Sequence, residues 1–594
     1  MDIPTDLQQG PFVDKVVYRT IASYERRVQA LLSGEIDLDT SFVGYNSLTP
    51  LLTEDPDIEI FESPRNGYGH IIINCARYPF SISGFRRAFA FAFNKTKVMY
   101  EIFDGHPSLH DSVVPSVSRW CAEDLFDYHY YDAEPDVGNA ILDELGFAID
   151  ISTGFRKAPN GDSISITVLY YLYPFFNEEV AEVAVEALHS LNFNAYCDAM
   201  GDSWWGPWYE VLENNNYDMC LLGSNFHSDN IDYLLTEYGS DYVDTGYPNN
   251  PSNFVNETYD SWIDQLRNGK TFEEVSEALT EMQKILHYNV PGLVVYQNTV
   301  MQGYRTDQFE GHVEDLERYI SGLWTLRKIR PVNNSFGGTV VVSMDQEPDT
   351  FNIFTTDSPY TNMILENLYS SLYLRDPNMN PIPDLAESML VETHSNNPGV
   401  SSNHTRFTFE IIHNATWSDG EPLTAEDVAF TFTYIDRSGD YGNPAAAELE
   451  GFVAAYAITP YTAVIEFDSE YYWNFDRFAY TFIIPEHIFN ESGIGFDHWN
   501  IWNPVFNPDE PHVTSGPFVL TNLSAGEFYE LTQNPNYYWH PDVPPTPSPT
   551  TSTPPPTTTI SKFPIELLLS LVMMASTATI VIVVGLVIDK YRRK

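Results

Sequence analysis

Apolar and polar residues follow two distinct periods along the first 540 residues of the chain, as expected for a mixture of strands and helices. Short apolar or alternating runs predict strands at residues 15–20, 70–74, 163–171, 194–197, 292–297, 407–412 and 462–467. Apolar positions spaced three or four residues apart predict helices at residues 24–34, 85–103, 178–191, 272–289, 361–369 and 424–435. Strands that alternate with helices are typical of α/β domains, so we expect α/β lobes.

The C-terminal end follows a different pattern. Pro and Thr dominate residues 541–564, which predicts an extended stalk without a packed core. Residues 567–588 contain no charged side chain and can cross a bilayer core of about 30 Å, so we predict one transmembrane helix over residues 565–588. The basic tail, residues 589–594, is expected in the cytoplasm, which places the rest of the chain outside a cell membrane.

The N-terminal end lacks the features of a signal peptide, because residues 1–17 contain no apolar run after a basic region. An acidic ectodomain of this size needs a route of export. Either the reading frame is incomplete at its 5′ end, which we favour, or export depends on the terminal span alone.

Charge and cysteine content narrow the classes of partner. The formal net charge is −53, which excludes a nucleic-acid-binding surface, since such surfaces use Lys and Arg to neutralise phosphates. The acidic excess suits a salty or external environment. The four cysteines lack CxxC spacing, so no metal site and no cofactor are predicted. Cys197 and Cys220 either form a disulfide outside the cell or remain buried free thiols.

No catalytic motif stands out. The chain has no GxSxG, HExxH or P-loop sequence, and Asp and Glu are too frequent for spacing to single out an acid/base pair. Asp419 and Asp427 suit structural roles in a turn and in the first turn of a helix. We therefore expect a protein that is not an enzyme and has no catalytic residues.

Several segments resemble the family 5 extracellular solute-binding proteins of peptide and nickel ABC transporters. The segment RFTFEIIHNATWSDGEPLTAEDVAFTFTY is similar to the signature of that family, and the other matching segments are TSGPFVL, NPNYYW, PDLAES, RVQALLSGEID and FRRAFAFAFNKTKV. Their order differs from that of the family. Residues 1–331 resemble the second half of the solute-binding fold, and residues 332–540 resemble its first half. The chain is therefore either a circular permutant or part of a tandem protein that has lost its upstream end.

The resemblance implies a fold and a function. It implies a two-lobed, type II periplasmic-binding-protein-like clamshell that encloses its ligand between α/β lobes, as well as a function as the substrate-binding component of an ABC importer. The partners implied are a small solute, an oligopeptide or an oligosaccharide, and the permease and ATPase subunits. The C-terminal anchor also suits an archaeal cell surface. The alternative function is a cell-surface oligosaccharide-binding, adhesion or sensing receptor without an importer.

The resemblance also points to ligand-binding residues. Peptide-binding relatives hold the ligand α-amine with an acidic residue, and that position falls on Phe226 here, with His227 in place of the usual Tyr. A phenyl ring cannot neutralise an ammonium group, which favours an uncharged or sugar-like ligand. A small shift of the alignment would instead make Asp229 the anchor. Trp204 and Trp205 are further candidates, because indole rings stack on sugars or on ligand side chains.

Overall fold

The computed structural model describes most of the chain before the predicted stalk. The described residues are 7, 9–40, 52–106, 108–172, 176–200, 212–226, 231–243, 245, 248–334, 336–490, 494–501 and 512–541. Within these ranges no helix has both the length and the apolar character needed to cross a bilayer. The predicted transmembrane helix and tail lie outside the described residues, as does all but the first residue of the predicted stalk.

The strands of the described residues form three main sheets and two small two-stranded sheets. In chain order they are β1 (Lys15–Thr20), β2 (Leu38–Asp39), β3 (Ile58–Pro64), β4 (Gly67–Ile73), β5 (Ser165–Tyr170), β6 (Asn194–Ala199), β7 (Met219–Asn225), β8 (Gly292–Tyr296), β9 (Thr299–Arg305), β10 (Phe309–Glu310), β11 (Arg330–Pro331), β12 (Thr339–Met344), β13 (Tyr373–Arg375), β14 (Pro381–Pro383), β15 (Ala386–Thr393), β16 (Thr405–Ile411), β17 (Phe452–Thr459), β18 (Thr462–Phe467), β19 (Phe518–Ser524) and β20 (Phe528–Gln533).

The α-helices of the described residues lie between these strands. In chain order they are α1 (Tyr24–Leu32), α2 (Ser83–Ala92), α3 (Lys95–Lys97), α4 (Pro135–Glu144), α5 (Phe176–Ser190), α6 (Tyr233–Tyr238), α7 (Glu257–Asn268), α8 (Phe272–Asn289), α9 (Leu323–Lys328), α10 (Pro359–Leu368), α11 (Ala425–Gly439), α12 (Ala445–Glu448), α13 (Asp476–Ala479) and α14 (Glu486–Phe489).

A seven-stranded sheet brings distant parts of the chain together. Its order is β19-β20-β1-β12-β2-β9-β3. Strand β1 pairs parallel to β12 and antiparallel to β20, so it lies between two strands from the C-terminal half of the chain. Val16 and Tyr18 of β1 are fully buried, and they belong to a core that includes Leu365 and Leu368 of α10. Alternate residues of β1 thus anchor this sheet on its helical layer.

A five-stranded sheet, with the order β6-β5-β7-β4-β8, is built from residues 67–296 alone. Every residue of the central strand β4 is buried, as expected for a strand covered on both faces. One core includes residues of α2 and α5, and a second includes residues of α7 and α8. We call residues 67–296 the inserted lobe, because the chain enters it from β3 of the large sheet and returns to β9 of the same sheet.

A four-stranded antiparallel sheet, β15-β16-β18-β17, forms the third unit. Helix α11 packs on it through Val428, Phe432 and Ile435. Thr424 and Asp427 form a capping box at the start of this helix, which satisfies backbone N–H groups that a helix otherwise leaves unpaired. We call this unit, together with the seven-stranded sheet and its helices, the large lobe.

The two ends of the folded part meet on the large lobe. The backbone N–H of Gly10 donates to the carbonyl of Trp539 at 3.1 Å. Gln533 adds a backbone bond to Asp14 at 2.9 Å and a side-chain bond to the carbonyl of Pro11 at 2.7 Å. The segment that leaves β20 therefore runs directly beside the segment that leads into β1.

Two local predictions need correction. The prediction of one continuous helix over residues 85–103 is wrong, because the backbone of Phe93 is extended and interrupts it. Asn94 then caps a second helix by accepting a hydrogen bond from the N–H of Lys97 at 2.8 Å. The apolar spacing continues through this break and hides it. The possible disulfide does not form, since Cys197 and Cys220 are both free thiols on strands separated by β5.

Candidate functional site

The two lobes are joined by two short crossovers, which we call the hinge: residues 65–66 between β3 and β4, and residues 297–298 between β8 and β9. The two crossovers are hydrogen-bonded to each other, because the N–H of Arg65 donates to the carbonyl of Asn298 at 2.8 Å. The buried side chain of Gln297 donates to the carbonyl of Arg65 at 2.8 Å and accepts from the N–H of Ser116 at 3.3 Å. The hinge is therefore a pair of hydrogen-bonded chain segments at the boundary between two α/β lobes.

Arg65 fixes the hinge to the inserted lobe. Its guanidinium donates to the carbonyl of Ser224 at 2.9 Å, to the side-chain oxygen of Asn225 at 3.0 Å and to that of Asn298 at 3.3 Å. Burial lowers the pKa of this guanidinium from its usual high value. All three acceptors are uncharged, so the side chain acts here as a rigid, five-donor fork.

Phe226, the predicted counterpart of the acidic anchor, lies directly after β7 beside the hinge. Its backbone N–H donates to the carbonyl of Asn66 at 2.8 Å. Its ring stacks on Tyr233 with 4.2 Å between centroids and lies 5.8 Å from the ring of Tyr68. The half-buried phenyl group therefore packs on the inserted lobe. The other predicted ligand-binding residues, His227, Asp229, Trp204 and Trp205, lie outside the described residues.

Tyr319, which the sequence analysis did not select, reaches the hinge from the large lobe. Its hydroxyl oxygen accepts the N–H of Asn66 at 3.3 Å. Tyr319 has a φ of 61°, and the next residue, Ile320, donates its N–H to Gln302 at 3.0 Å. No sequence signal marks this tyrosine, since its role depends on a rare backbone conformation and on a partner far away in the chain.

A cavity of about 140 Å³ adjoins the segment that carries Tyr319. Arg318 pairs with Glu366 at 2.6 Å on its wall. Burial raises the pKa of Asp315 to about 8, and burial together with the Glu366 carboxylate raises the pKa of Glu317. The carboxyl groups on the lining suit a ligand group that donates hydrogen bonds. The charged and aromatic residues of the lining are Asp315, Glu317, Arg318, Trp324, Glu366, Tyr373, Arg375, Asp376, Tyr480 and Phe482.

A second contact joins the lobes away from the hinge. We call residues 470–473 of the large lobe the latch. The indole N–H of Trp473 donates to the carbonyl of Leu266 at 2.7 Å, and the N–H of Tyr472 donates to the carbonyl of Gly269 at 2.8 Å. Glu470 pairs with Lys270 at 2.8 Å. The latch thus caps the C-terminal end of α7 and holds the two lobes together.

Aromatic packing extends the latch. The ring of Trp473 lies 5.5 Å from that of Trp120, and the ring of Tyr472 lies 6.2 Å from that of Phe272. Trp120 and Phe272 belong to the inserted lobe. Hinge and latch together join the two lobes at two separate places, which is the geometry expected of a hinged binding protein.

A sequence model described as bacterial extracellular solute-binding proteins, family 5 Middle, matches residues 7–245 and 380–554, which together make up more than half of the chain. A putative ABC transporter peptide-binding protein of Brucella ovis is 26% identical over 208 residues, which cover 34% of this chain and 36% of that protein. The oligopeptide-binding protein AppA of Bacillus subtilis is 28% identical over 207 residues, 34% of this chain and 35% of AppA. The chain thus spans about a third of the length of these relatives.

Solved structures give partial matches. The crystal structure of a mannohexaose-bound periplasmic oligopeptide-binding protein from Thermotoga maritima has a TM-score of 0.42 and 21% sequence identity. The match covers 53% of this chain and 62% of that one.

Proposed function

Because the chain belongs to the bacterial extracellular solute-binding proteins of family 5, we propose that it captures a small solute between its lobes and delivers it to an ABC importer. The family is one of solute-binding proteins, which fits a chain that is not an enzyme. The proposed partners are the permease and ATPase subunits of the importer. The proposal does not involve nucleic acid, in keeping with the net charge of −53.

The observation that carries this proposal is the pairing of a hinge with a latch. The hinge crossovers at Arg65 and Asn298 would permit the lobes to rotate. The latch at Trp473 would stabilise the closed arrangement through contacts that exist only when the lobes meet. A ligand that contacts both lobes would add to these contacts and shift the equilibrium towards the closed form. The importer would then distinguish loaded from empty protein by shape.

The proposed ligand is an oligopeptide or an oligosaccharide. AppA of Bacillus subtilis and the Brucella ovis relative carry names that refer to peptide binding, which supports a peptide. Phe226 supports a ligand whose amine is not held at this position, because its ring packs on Tyr233 and offers no negative charge. Recognition would then rest on backbone hydrogen bonds and stacking, with His227, Asp229, Trp204 and Trp205 still proposed as ligand-binding residues.

The two regions of the chain are proposed to complete one solute-binding fold, with residues 1–331 supplying its second half and residues 332–540 its first half. The pairing of β1 with β12 and β20 supports this, since the sheet takes strands from both regions. The hydrogen bond between Gly10 and Trp539 also supports it, because the family order would connect these segments directly. Both a circular permutant and a tandem origin remain compatible with such a complete fold.

The protein is further proposed to be a single-pass membrane protein of an archaeal cell surface. The uncharged run within residues 565–588 supports a membrane span, and the basic residues 589–594 support a cytoplasmic tail. The Pro- and Thr-rich residues 541–564 would hold the lobes away from the membrane, within reach of an importer in the same membrane.

A thermal-shift screen of the full-length chain in detergent tests the proposal against peptides, oligosaccharides and nickel chelates. A ligand at ~100 times its dissociation constant adds about 2.7 kcal/mol to the folded state, enough to raise the melting temperature measurably. A shift with one ligand class supports a working cleft and identifies the solute. An unchanged melting temperature with every ligand class counts against solute capture. A second experiment, chemical cross-linking in native membranes, separates the two functions: a protein that binds a ligand but does not cross-link to a permease favours the receptor function.

A further inference from the structure

A mixed set of donor atoms converges in the inserted lobe. A ring nitrogen of His110, Sγ of Cys121 and a carboxylate oxygen of Glu123 all lie within 4.8 Å of one another. The side chain of His110 is 1% exposed and that of Glu123 is 10% exposed. Nitrogen, sulfur and oxygen ligands in one buried place are the combination that zinc prefers.

The hydrogen bonds of His110 define which of its nitrogens is available. Nε2 lies 2.9 Å from the carbonyl oxygen of Val114, which can only accept, so Nε2 carries the proton. Nδ1 faces Oε2 of Glu123 in very close contact, which either a proton on Nδ1 or a metal cation held by both groups would satisfy. Histidine ligands of metal ions show this arrangement, in which the second nitrogen donates to a backbone carbonyl.

The carboxylate of Glu123 is oriented by its other oxygen. Oε1 accepts the N–H of Asp111 at 2.8 Å and the hydroxyl of Tyr131 at 2.6 Å. These two bonds fix the plane of the carboxylate and direct Oε2 towards His110. Supporting hydrogen bonds of this kind orient the ligands of metal ions and are part of a metal site.

The neighbouring charges leave room for a divalent cation. The buried ammonium of Lys95 is engaged by Asp111, to which it is paired, and by the carbonyl of His110 at 2.7 Å. Asp111 also accepts from the N–H of Tyr130 at 2.9 Å and contacts His129 at 3.0 Å. Among the described residues, the ion-pair partners of Glu123 are the histidines His110 and His129. A thiolate at Cys121 would bring the charge of the donor set to −2, which Zn²⁺ neutralises.

We propose that His110 Nδ1, Cys121 Sγ and Glu123 Oε2 bind one Zn²⁺ ion, with water as the fourth ligand. Calcium and magnesium fit less well, because they require six or more oxygen ligands or retain several waters. The ion would connect the segment at residues 110–112 to the segment at residues 121–123, both of which run over the inserted lobe. None of its three ligands is a hinge or latch residue, and Cys121 directly follows Trp120, whose ring packs on the latch.

The test uses the full-length chain in detergent, stripped with chelator and reloaded with zinc in excess Mg²⁺, which occupies sites made of carboxylates alone. Mass spectrometry of the metal content should find one zinc per chain in the wild type. Cys121→Ser and His110→Gln should each weaken zinc binding by at least about 10-fold, because loss of a metal ligand weakens binding no less than loss of a residue that supports a ligand. Cys197→Ser, which removes a half-buried thiol of the same lobe, should retain the zinc.

Cobalt provides a readout that does not depend on how the variants fold. Wild-type protein loaded with Co²⁺ should show a thiolate-to-cobalt charge-transfer absorption, and zinc should displace it. Absence of stoichiometric zinc, absence of this absorption or undiminished zinc binding by Cys121→Ser would each overturn the proposal. Loss of zinc from His129→Gln, with retention by Cys121→Ser, would overturn it in favour of the neighbouring set Asp111, Glu123 and His129.

Discussion

Truncation of the latch indole should open the two lobes without unfolding either of them. Trp473→Phe removes the N–H that donates to Leu266 at 2.7 Å, together with one of the two fused rings, and keeps a smaller aromatic ring beside Trp120. A hydrogen bond of this kind contributes about 0.5–1.5 kcal/mol net. The fraction of open molecules should therefore increase by roughly 2- to 12-fold, since RT is about 0.6 kcal/mol.

Trp473→Ala also removes the aromatic pair with Trp120, which contributes about 0.5–1.5 kcal/mol beyond its buried area. The two contributions together favour opening by about 1–3 kcal/mol. The ion pair between Lys270 and Glu470 remains in both variants, but Lys270 is 53% exposed and such pairs contribute about 0–1 kcal/mol. The alanine variant should thus open clearly more often than the phenylalanine variant.

Hydrogen exchange at a single amide measures this opening directly. The N–H of Tyr472 donates to the carbonyl of Gly269 in the other lobe, so it is protected by this bond only while the lobes are closed. Its exchange rate should rise with the open fraction, in the order wild type, Trp473→Phe, Trp473→Ala. The N–H groups of β18, within one sheet, should exchange at unchanged rates. Tyr441→Ala, at a 59% exposed position of the same lobe, is the matched control.

Two results would refute this reasoning. Unchanged exchange at Tyr472 in Trp473→Ala would show that the indole does not hold the lobes together. Equal acceleration at Tyr472 and throughout β18 would show that the substitution destabilises the whole fold instead of opening the latch.

Three further predictions concern the hinge and the cavity. Arg65→Met should lower the free energy of unfolding by about 1–3 kcal/mol in urea titrations, because it removes the guanidinium hydrogen bonds to Ser224, Asn225 and Asn298. The control Arg77→Met, at a 53% exposed position, should cost less than about 1 kcal/mol. Phe226→Ala should cost about 2 kcal/mol in the same assay if the ring packs on Tyr233, and an unchanged stability would assign the ring to the open cleft. Burial raises the pKa of Asp315 from 3.8 to about 8, so the folded state holds an extra proton between these values and its stability falls as the pH rises through 8. Asp315→Asn should remove this slope, so its stability relative to wild type should increase from pH 5 to pH 8.5, and parallel pH profiles would contradict the assignment.

Local sequence signals predicted many elements because their causes are local. Helix α8 begins and ends at the predicted residues, since Thr271 and Glu274 form a capping box and the apolar spacing persists to the end. The helix expected over residues 85–103 failed where an asparagine capped a new start inside an apolar run. The order of the strands in the large sheet could not be predicted from local sequence, because β1 pairs with strands that lie hundreds of residues away in the chain.

The candidate site was less predictable than the fold. The resemblance singled out Phe226 as the counterpart of the acidic anchor, and the structure puts it beside the hinge. The bond between Tyr319 and Asn66, the contact of Arg65 with Asn298, and the convergence of His110 with Cys121 have no regular spacing. Such contacts are properties of the assembled lobes and not of any segment.

The position of β1 in the large sheet has a consequence for synthesis on the ribosome. Residues 67–296 form a contiguous lobe and can fold as soon as they emerge, and β1 can then pair with β12. The other edge of β1 stays unpaired until β20 is synthesised, about 180 residues after β12. At roughly 5–20 residues per second this interval is on the order of 10–40 seconds. An open strand edge invites aggregation during that interval. Lys15 and Arg19 place positive charges along this edge, which helps to keep the nascent chain apart from its neighbours until the last strand arrives.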